Sequence, residues 1–543
     1  MLLRSSPLAY LIEVMSVGSD EYPLLTSAAE ALNAVQHEFQ YRVTSESQRE
    51  PGISFEPEKY LSSDIWDFLR RHKETFGGNR PFIIAFVNAP LRSPEVSNLF
   101  GSHQAQEGFA AVTLYQSTQY VSEAKRYCCY WLVRYSLSFV NPLIKAHKDP
   151  TRKFCYFHFK DYKPDLRLSM DSGRICDECK TRLSDRTIAK PLSAEENKAL
   201  KSMRDVVSGD FPHALIMKGG GVKGLAFAGA LQEIEKYFWF DVHVGASAGA
   251  ITAVLLAANY SPTELVETLR RKSFRDFLDA RFWRVPWNLL VKQGLYPGEH
   301  FRVWMSQLLG AKIPGLGDIR MSDLPKAMRN TGKHAVIYAC RRGSGVVVFD
   351  SRGERRDTGA AFATRCSMSI PVFFFAPEIE GRQVFDGGLR NNFPLTRFLQ
   401  DEPKKPFIAL YLGEPDYSGR RWFWSELLDI WISGEEREAV DSHAESVVVI
   451  DTAPVGTVDF GLTDLEKEFL LKVGKAAALR FLQTRRLDNG PDAETVQAAH
   501  REAEDLRRAI KQRRRRRRLV RALLLAVLLI AAVLAFWIFF AVL

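Results

Sequence analysis

Several features that would assign a protein to a familiar class are scarce or missing here. The 543 residues include only seven cysteines, scattered except for the pair Cys128 and Cys129, so they offer no disulfide framework and fit a reducing compartment. The motif H-E-x-x-H does not occur, so we do not expect a metalloprotease. The sequence also has no calcium loop of closely spaced acidic residues, no internal repeat, and no cleavable signal peptide behind its first residues, MLLR.

The net positive charge is also small outside one short stretch of the chain. The formal net charge is +10, but the run Arg513–Arg518 supplies six of these charges and leaves +4 for the rest of the chain. A nucleic-acid site usually needs basic residues spread over a surface. We therefore expect no nucleic-acid partner, although the arginine run taken alone is also compatible with one.

The C-terminal end contains one long apolar stretch. Residues 522–543 carry no charge, and as a helix of 22 residues they would rise about 33 Å, enough to cross a hydrocarbon core. This predicts a transmembrane helix over residues 519–543; the alternative, a buried core helix, would usually show a polar face. Because Arg513–Arg518 and Arg521 directly precede it, we expect a single-pass protein with a C-terminal anchor, its catalytic part in the cytoplasm and these arginines at anionic headgroups.

The remainder divides into two α/β segments. Residues 1–190 alternate apolar runs with helical patterns, which predicts a separate N-terminal α/β domain. A polar stretch predicts a linker over residues 191–209. A second α/β pattern covers residues 210–485, and a charged helix with the polybasic run follows over residues 491–518.

Two short glycine-containing motifs lie in the second segment. In MKGGGVKGLAFAGAL, Gly219, Gly221 and Gly224 satisfy G-x-G-x-x-G, which fits either a pyrophosphate or an oxyanion formed in acyl transfer. Further along, Ser247 lies between Gly245 and Gly249 in G-x-S-x-G, between a strand-like and a helix-like run. This context is typical of a nucleophile elbow, although a tight turn that happens to contain serine would look the same.

Together with Asp386-Gly387-Gly388 these motifs resemble, in order and spacing, the patatin-like phospholipase family. The resemblance spans residues 210–482 and includes the stretch Ser369-Ile370-Pro371. It implies a three-layer α/β/α catalytic domain with Ser247 as nucleophile, Asp386 as its partner, and turn glycines at Gly387 and Gly388. The implied oxyanion loop comprises Gly219, Gly220, Gly221, Lys223 and Gly224.

The resemblance implies lipid acyl hydrolysis without a catalytic cofactor. Ser247 would attack an ester carbonyl, Asp386 would take its proton, and backbone amides of Gly220, Gly221 and Ala248 would hold the oxyanion. Lys223 would set the loop, or be a solvated lysine. A histidine-based triad would instead need His443 or His500, neither of which lies in a recognisable loop context.

The expected substrates are membrane lipids. Two aromatic stretches flanked by arginines, Phe282–Trp287 and Trp422–Trp424, suit the headgroup region, although internal packing of the same rings is an equal alternative. A second hypothesis for the whole protein is an inactive patatin-like scaffold or sensor. In that case the N-terminal domain binds a regulatory partner whose nature the sequence does not indicate.

The N-terminal segment contains a candidate zinc site. Cys155-x-x-His158 and Cys176-x-x-Cys179 supply four ligands of the types that tetrahedral zinc accepts, which suggests a structural zinc knuckle. The alternative is two unrelated features, because on a strand the alternation of side chains would place Cys155 and His158 on opposite faces.

Overall fold

A computed structural model describes most of the chain. The described ranges are residues 10–44, 62–76, 82–184, 192–209, 212–327, 333–341, 345–388, 392–413, 436–485 and 490–542, with short gaps at residues 19, 95, 97, 122, 142, 143, 145, 150, 151, 153, 161, 162, 164 and 404. The chain forms two compact units, Met1–Phe211 and Pro212–Leu543. The predicted aromatic stretch Trp422–Trp424 lies outside the described residues.

The first unit is an α/β domain built on a five-stranded sheet, as the sequence predicts. Its strand order is β2-β1-β3-β5-β4, with every pair parallel except β4 and β5. The strands are β1 (Tyr10–Val17), β2 (Phe39–Val43), β3 (Phe82–Val87), β4 (Gly101–Gln104) and β5 (Phe109–Thr113). The helices are α1 (Tyr22–Asn33), α2 (Ser62–Phe76), α3 (Ala124–Val140), α4 (Asp165–Ser172), α5 (Asp177–Ser184) and α6 (Ala194–Ser208).

The segment predicted as a linker is part of this unit. Ser193 and Glu196 form a capping box, in which the serine side chain accepts from the Glu196 N–H and the glutamate accepts from the Ser193 N–H. The helix that they start, α6, buries Met203 and Val207 and packs against α3. The linker prediction over residues 191–209 was therefore wrong, because polar residues mark a helix start as well as a loop.

The second unit contains an eight-stranded mixed sheet. Its order is β12-β13-β9-β7-β6-β14-β15, with β10 paired to β9. From β9 to β15 neighbouring strands along this path run parallel, whereas β10 and β13 run antiparallel to β9. Its strands are β6 (Ala214–Met217), β7 (Val242–Ala246), β9 (His334–Arg341), β10 (Gly345–Asp350), β12 (Glu378–Ile379), β13 (Arg382–Asp386), β14 (Phe407–Leu412) and β15 (Val447–Ile450); β8 (Gly294–Tyr296) and β11 (Val372–Phe374) form a separate parallel pair.

Helices cover this sheet on both faces. Every residue of the central strands β6 and β7 is buried, which is the pattern of strands enclosed between two layers. The helices of the unit are α7 (Leu225–Ile234), α8 (Ala248–Ala257), α9 (Pro262–Arg271), α10 (Val285–Lys292), α11 (Glu299–Lys312), α12 (Ala360–Ser367), α13 (Leu395–Asp401), α14 (Glu436–Ser442), α15 (Asp464–Thr484) and α16 (Ala493–Val542). The resulting α/β/α arrangement agrees with the predicted fold class.

The C-terminal helix α16 joins two segments that the sequence analysis separates. Its first part packs on α15 through Val496, Ala499, Ala503 and Ile510, all buried. Within the described residues, no helix combines the length and hydropathy needed to span a bilayer. The predicted anchor at 519–543 is thus unsupported; the side chains from residue 531 onward are outside the described part.

The polybasic run is not uniformly available for headgroups. The Arg514 guanidinium donates to Glu466 Oε1 at 2.6 Å, to Asp459 Oδ2 at 2.9 Å and to the Pro454 carbonyl at 2.7 Å. These contacts attach the run to the body of the second unit. The prediction that all six arginines face headgroups is therefore corrected for Arg514, whose charge is already compensated within the protein.

Candidate active site

Ser247 occupies a strained turn between β7 and α8. Its φ and ψ are 51° and −118°, a left-handed conformation that side chains other than glycine rarely adopt. The turn also needs its glycines, because a Cβ on Gly249 would lie 2.2 Å from the Met217 carbonyl oxygen and one on Gly245 would lie 2.3 Å from backbone atoms of Gly249. This is the geometry of a nucleophile elbow, with the serine at the N-terminus of a buried helix.

The glycine-rich loop lies directly beside this serine. It follows β6, which pairs in parallel with β7, so both segments leave the same edge of the sheet. A Cβ on Gly219 would come within 3.1 Å of Ser247 Cβ, and one on Gly224 within 2.7 Å of Ala248 Cβ. The loop therefore packs onto the elbow, which favours an oxyanion beside Ser247 over a pyrophosphate as the group held there.

Backbone amides of the loop divide into engaged and open ones. The Gly219 N–H donates to the Asn392 carbonyl at 2.7 Å, and the Val222 N–H donates to the Thr457 carbonyl at 3.1 Å. Among the described residues, the N–H groups of Gly220 and Gly221 have no acceptor. Gly221 itself has a φ of +55°. Two consecutive open amides at this point are what an oxyanion hole requires.

Asp386 reaches the same place from another part of the sheet. The register pairs Ala246 with Tyr338 and Asp386 with Ala339, so the end of β13 meets the end of β7 across β9. A Cβ on Gly387 would lie 2.4 Å from the Tyr338 carbonyl oxygen and 3.2 Å from Ala246 Cβ. Only glycine permits this close approach, which brings the Asp386 carboxyl to the elbow.

The Asp386 carboxyl is buried and only half satisfied. Oδ1 accepts from the Gly388 N–H at 2.7 Å, whereas Oδ2 is buried with no hydrogen-bond partner in the described part of the chain. Burial raises the pKa of Asp386 to about 6, against smaller lowering effects of the Gly388 amide and the nearby Ser247 side chain. The carboxyl is thus a stronger base than an ordinary aspartate, and it has a free lone pair beside the serine.

A short serine-containing segment supports both residues, and the sequence analysis missed its role. The Ser247 N–H donates to Ser367 Oγ at 3.0 Å, and that hydroxyl donates to the Tyr338 carbonyl at 2.6 Å. Two residues further on, the Ser369 carbonyl accepts from the Asp386 N–H at 2.9 Å. The segment begins with Ser367, the last residue of α12, and ends with Ser369, the first residue of the Ser369-Ile370-Pro371 stretch that contributes to the resemblance.

The other residues considered in the sequence analysis are Lys223 and two histidines. Lys223 lies half-buried in the 3₁₀ turn Gly221–Gly224 that leads into α7. His443 bonds back to the Ala439 carbonyl and packs on Phe407, at the edge of the sheet where β6 begins, and His500 is exposed on α16. Neither histidine therefore approaches the elbow.

The metal cluster of the first unit differs from the prediction in one ligand. Cys155, Cys176 and Cys179 come together, but their fourth neighbour is His147 rather than His158. The stretch containing Cys155 and His158 is not a strand: the His158 N–H donates to the Cys155 carbonyl at 3.0 Å, which closes a tight turn. Of the four predicted ligands, the cluster contains the three cysteines, whereas His158 lies outside it and its ring packs against that of His147 at a centroid distance of 5.4 Å.

Comparison with known proteins agrees with the geometry. A family model described as patatin-like phospholipase matches residues 215–399, which include both the elbow and Asp386. Residues 215–399 are a patatin-like phospholipase domain. Its chemistry is that of a lipid acyl hydrolase.

Three similar proteins share between 13% and 29% sequence identity with this chain. An uncharacterized protein, YqhO, of Bacillus subtilis is 29% identical over 292 residues, which cover 49% of this chain and 97% of that protein. Lysophospholipase NTE1 of Eremothecium gossypii is 26% identical over 248 residues, covering 45% of this chain and 14% of the fungal protein. The crystal structure of VipD from Legionella pneumophila covers 54% of this chain and 74% of its own, with 13% identity and a TM-score of 0.35.

Proposed function

We propose that this protein is a serine hydrolase that releases fatty acids from glycerophospholipids or lysophospholipids at a membrane surface, with Ser247 as nucleophile and Asp386 as base. The observation that carries the proposal is the convergence, at one edge of the sheet, of a strained serine, two open backbone amides and a buried carboxyl with a raised pKa. Each of the three costs free energy in a folded protein, and acyl transfer uses all of them.

The reaction follows from these positions. The Asp386 carboxylate accepts the hydroxyl proton as Ser247 Oγ attacks the ester carbonyl, and the oxyanion that forms is held by the Gly220 and Gly221 amides. Collapse of the tetrahedral intermediate breaks the ester C–O bond; Asp386 returns its proton to the departing alcohol and leaves the acyl group on Ser247. Water, deprotonated by the same carboxylate, then releases the fatty acid and restores the serine.

The choice of a membrane lipid rests on an exposed apolar surface in the same unit as the site. On α10 and the turn before it, Trp283 is 56%, Trp287 67% and Leu290 79% exposed, and no residue of α10 is buried. Isolated exposed apolar residues are ordinary, but a contiguous group of this kind marks an interaction surface. Exposed Arg281 and Arg284 flank it, which suits a headgroup region.

This surface is connected to the catalytic residues through the chain. Helix α10 leads into β8, and β8 pairs in parallel with β11 through Gly294 with Val372 and Tyr296 with Phe374. Strand β11 follows Ser369, whose carbonyl holds the Asp386 amide. We infer that a bilayer in contact with α10 presents its esters to the elbow through this part of the unit.

We also propose that the C-terminal end of α16 holds the protein at the membrane as a single-pass anchor, with the catalytic unit in the cytoplasm. Its support is the uncharged stretch 522–543 behind the arginine run and the exposure of Leu523, Leu525 and Leu528. Removal of residues 519–543 should move the protein from the membrane fraction to the supernatant. Retention of the truncated protein in the membrane fraction would contradict this part of the proposal.

Fatty-acid release from phospholipid vesicles tests the activity. The full chain is incubated with phosphatidylcholine vesicles, or with lysophosphatidylcholine, beside Ser247→Ala and a control variant at a half-buried serine of α11, Ser306→Ala. Release by the wild type and by Ser306→Ala, with loss in Ser247→Ala, is the expected result. Equal release from Ser247→Ala would refute the assignment, and no release from any variant on either lipid would favour an inactive scaffold.

A further inference from the structure

A cluster of metal-ligating side chains lies in the first unit, outside the hydrolase site. The ligand atoms of His147, Cys155, Cys176 and Cys179 all lie within 4.8 Å of one another. A bound zinc ion, whose metal–ligand bonds are about 2.0–2.3 Å, would draw these four sulfur and imidazole ligands slightly closer together into a tetrahedral site. The three cysteines are 0–1% exposed, and His147 is partly exposed.

Three separate chain segments are held together around this cluster by backbone hydrogen bonds. The His147 N–H donates to the Phe157 carbonyl at 3.0 Å, and the Phe159 N–H donates to the His147 carbonyl at 2.8 Å. The Tyr156 N–H donates to the Arg174 carbonyl at 2.9 Å, next to Cys176. The segments therefore deliver their ligands to one point without a strand or helix shared between them.

Two backbone N–H groups point at one of the sulfurs of the cluster. The N–H groups of Phe157 and Cys176 both donate to Cys155 Sγ, at 3.4 Å and 3.3 Å. Hydrogen bonds of this kind hold a ligand side chain in the orientation that a metal ion requires. Cys176 Sγ also lies 3.6 Å from His147 Nε2, the distance of two ligands on adjacent corners of a tetrahedron.

We propose that His147, Cys155, Cys176 and Cys179 bind one Zn²⁺ in a closed, structural site. Four protein ligands leave no position for water, so the ion does not take part in the hydrolysis. Its role is to fasten the loop that carries His147 and Cys155 to the start of α5, where Cys179 lies. The site is independent of the hydrolase assignment, and neither result decides the other.

Metal content of the purified full chain tests the site directly. The protein is prepared without chelators and without added metal, and zinc is measured by mass spectrometry and by release to a colorimetric chelator on thiol modification. The expected result is about one zinc per chain. The variant Cys176→Ser should lose most of it, whereas Cys128→Ser, a buried cysteine outside the cluster, should keep it.

Substitution of the two histidines, His147 and His158, tests which of them is the zinc ligand. His147→Asn should lower zinc retention under chelator challenge by about 10-fold or more, while His158→Asn should retain wild-type content. His147→Cys should restore binding, with Co²⁺ absorption moving from a three-sulfur to a four-sulfur spectrum. The rescue separates loss of a ligand from failure to fold.

Three outcomes would overturn the proposal. The first is a wild-type protein that contains no zinc and binds none when Zn²⁺ is added. The second is loss of zinc in His158→Asn but not in His147→Asn. The third is a disulfide between two of the three cysteines in protein purified under reducing conditions, because its sulfurs could not serve as thiolate ligands.

Discussion

At the scale of single residues, Ser247 and Asp386 are both held in states that a folded protein normally avoids. The positive φ of Ser247 costs about 1–3 kcal/mol, and the buried carboxyl of Asp386 leaves one oxygen without a partner. Their neighbours offset these costs: Ser367 accepts the Ser247 amide, and Gly388 donates to Asp386. Substitutions at or beside these two residues should therefore change stability and activity in different ways.

The first consequence concerns pH and stability. The pKa of Asp386 in the folded protein is raised to about 6 from the ordinary 3.8, so the folded chain binds this proton more tightly than the unfolded chain. The stabilisation is complete below about pH 4 and is lost as pH rises through 6. The side chain of Asp386→Asn does not titrate. We predict that at pH 7.5 the free energy of unfolding of this variant exceeds that of the wild type by about 1–3 kcal/mol.

The measurement is chemical denaturation of both proteins at several pH values. The difference should shrink towards zero only near about pH 3, below both pKa values, because there the wild-type carboxyl is neutral in the folded and in the unfolded protein. A difference that stays constant with pH would show that the substitution acts through packing instead. Activity should follow the opposite course, with kcat/KM on a soluble ester falling below about pH 6 as the base is protonated.

The second consequence concerns Gly219. A Cβ at this position would lie 2.1 Å from Asn392 Oδ1 and 3.1 Å from Ser247 Cβ, so Gly219→Ala must displace the loop from the elbow. We predict that kcat falls at least 100-fold, because removal of a single oxyanion-hole donor already lowers kcat by a factor of about 10²–10³. Gly310→Ala is the matched control: on α11 a Cβ meets nothing within 4 Å, and the substitution should leave kcat unchanged and stabilise slightly. Equal activity of the two variants would contradict an oxyanion role for the loop.

At the scale of secondary-structure elements, the C-terminal end of α12 holds the turn that carries Ser247 in position. The Ser367 hydroxyl accepts from the Ser247 N–H and donates to the Tyr338 carbonyl, so it links the elbow to β9. We predict that Ser367→Ala lowers kcat about 10-fold or more with little change in KM, because it disturbs the nucleophile and not the lipid contact. Thr364→Val on the same helix removes a hydroxyl that donates to the Ala360 carbonyl within α12, and it should keep full kcat. A rise in KM alone for Ser367→Ala would contradict a positioning role.

The exposed helix α10 supports a different prediction. The double variant Trp287→Ser with Leu290→Ser removes two of its most exposed apolar side chains and should lower release from vesicles about 10-fold or more. Hydrolysis of a short, water-soluble ester should be unchanged, since these side chains are not at the elbow. An equal loss on both substrates would indicate that α10 supports the fold and does not contact the bilayer.

At the scale of the whole molecule, local motifs were predictable and long-range neighbours were not. The elbow and the glycine loop could be read from the sequence because glycines at fixed spacing fit only a few backbone conformations. Ser367, Asn392 and Thr457 could not, because they reach the site through sheet register and loop packing. His147 was missed for the same reason, as it lies 29 residues before Cys176 and joins it only through backbone pairing with the 157–159 turn.

The central claim is that Ser247 is the nucleophile and that Asp386 activates it. Its most direct test is covalent labelling of the full chain with a fluorophosphonate, followed by mass spectrometry of the digested protein. We expect a single modified peptide with the label on Ser247, at a rate that falls about 10²-fold or more in Asp386→Asn. A label on another residue, or labelling of Ser247 that does not depend on Asp386, would contradict the account.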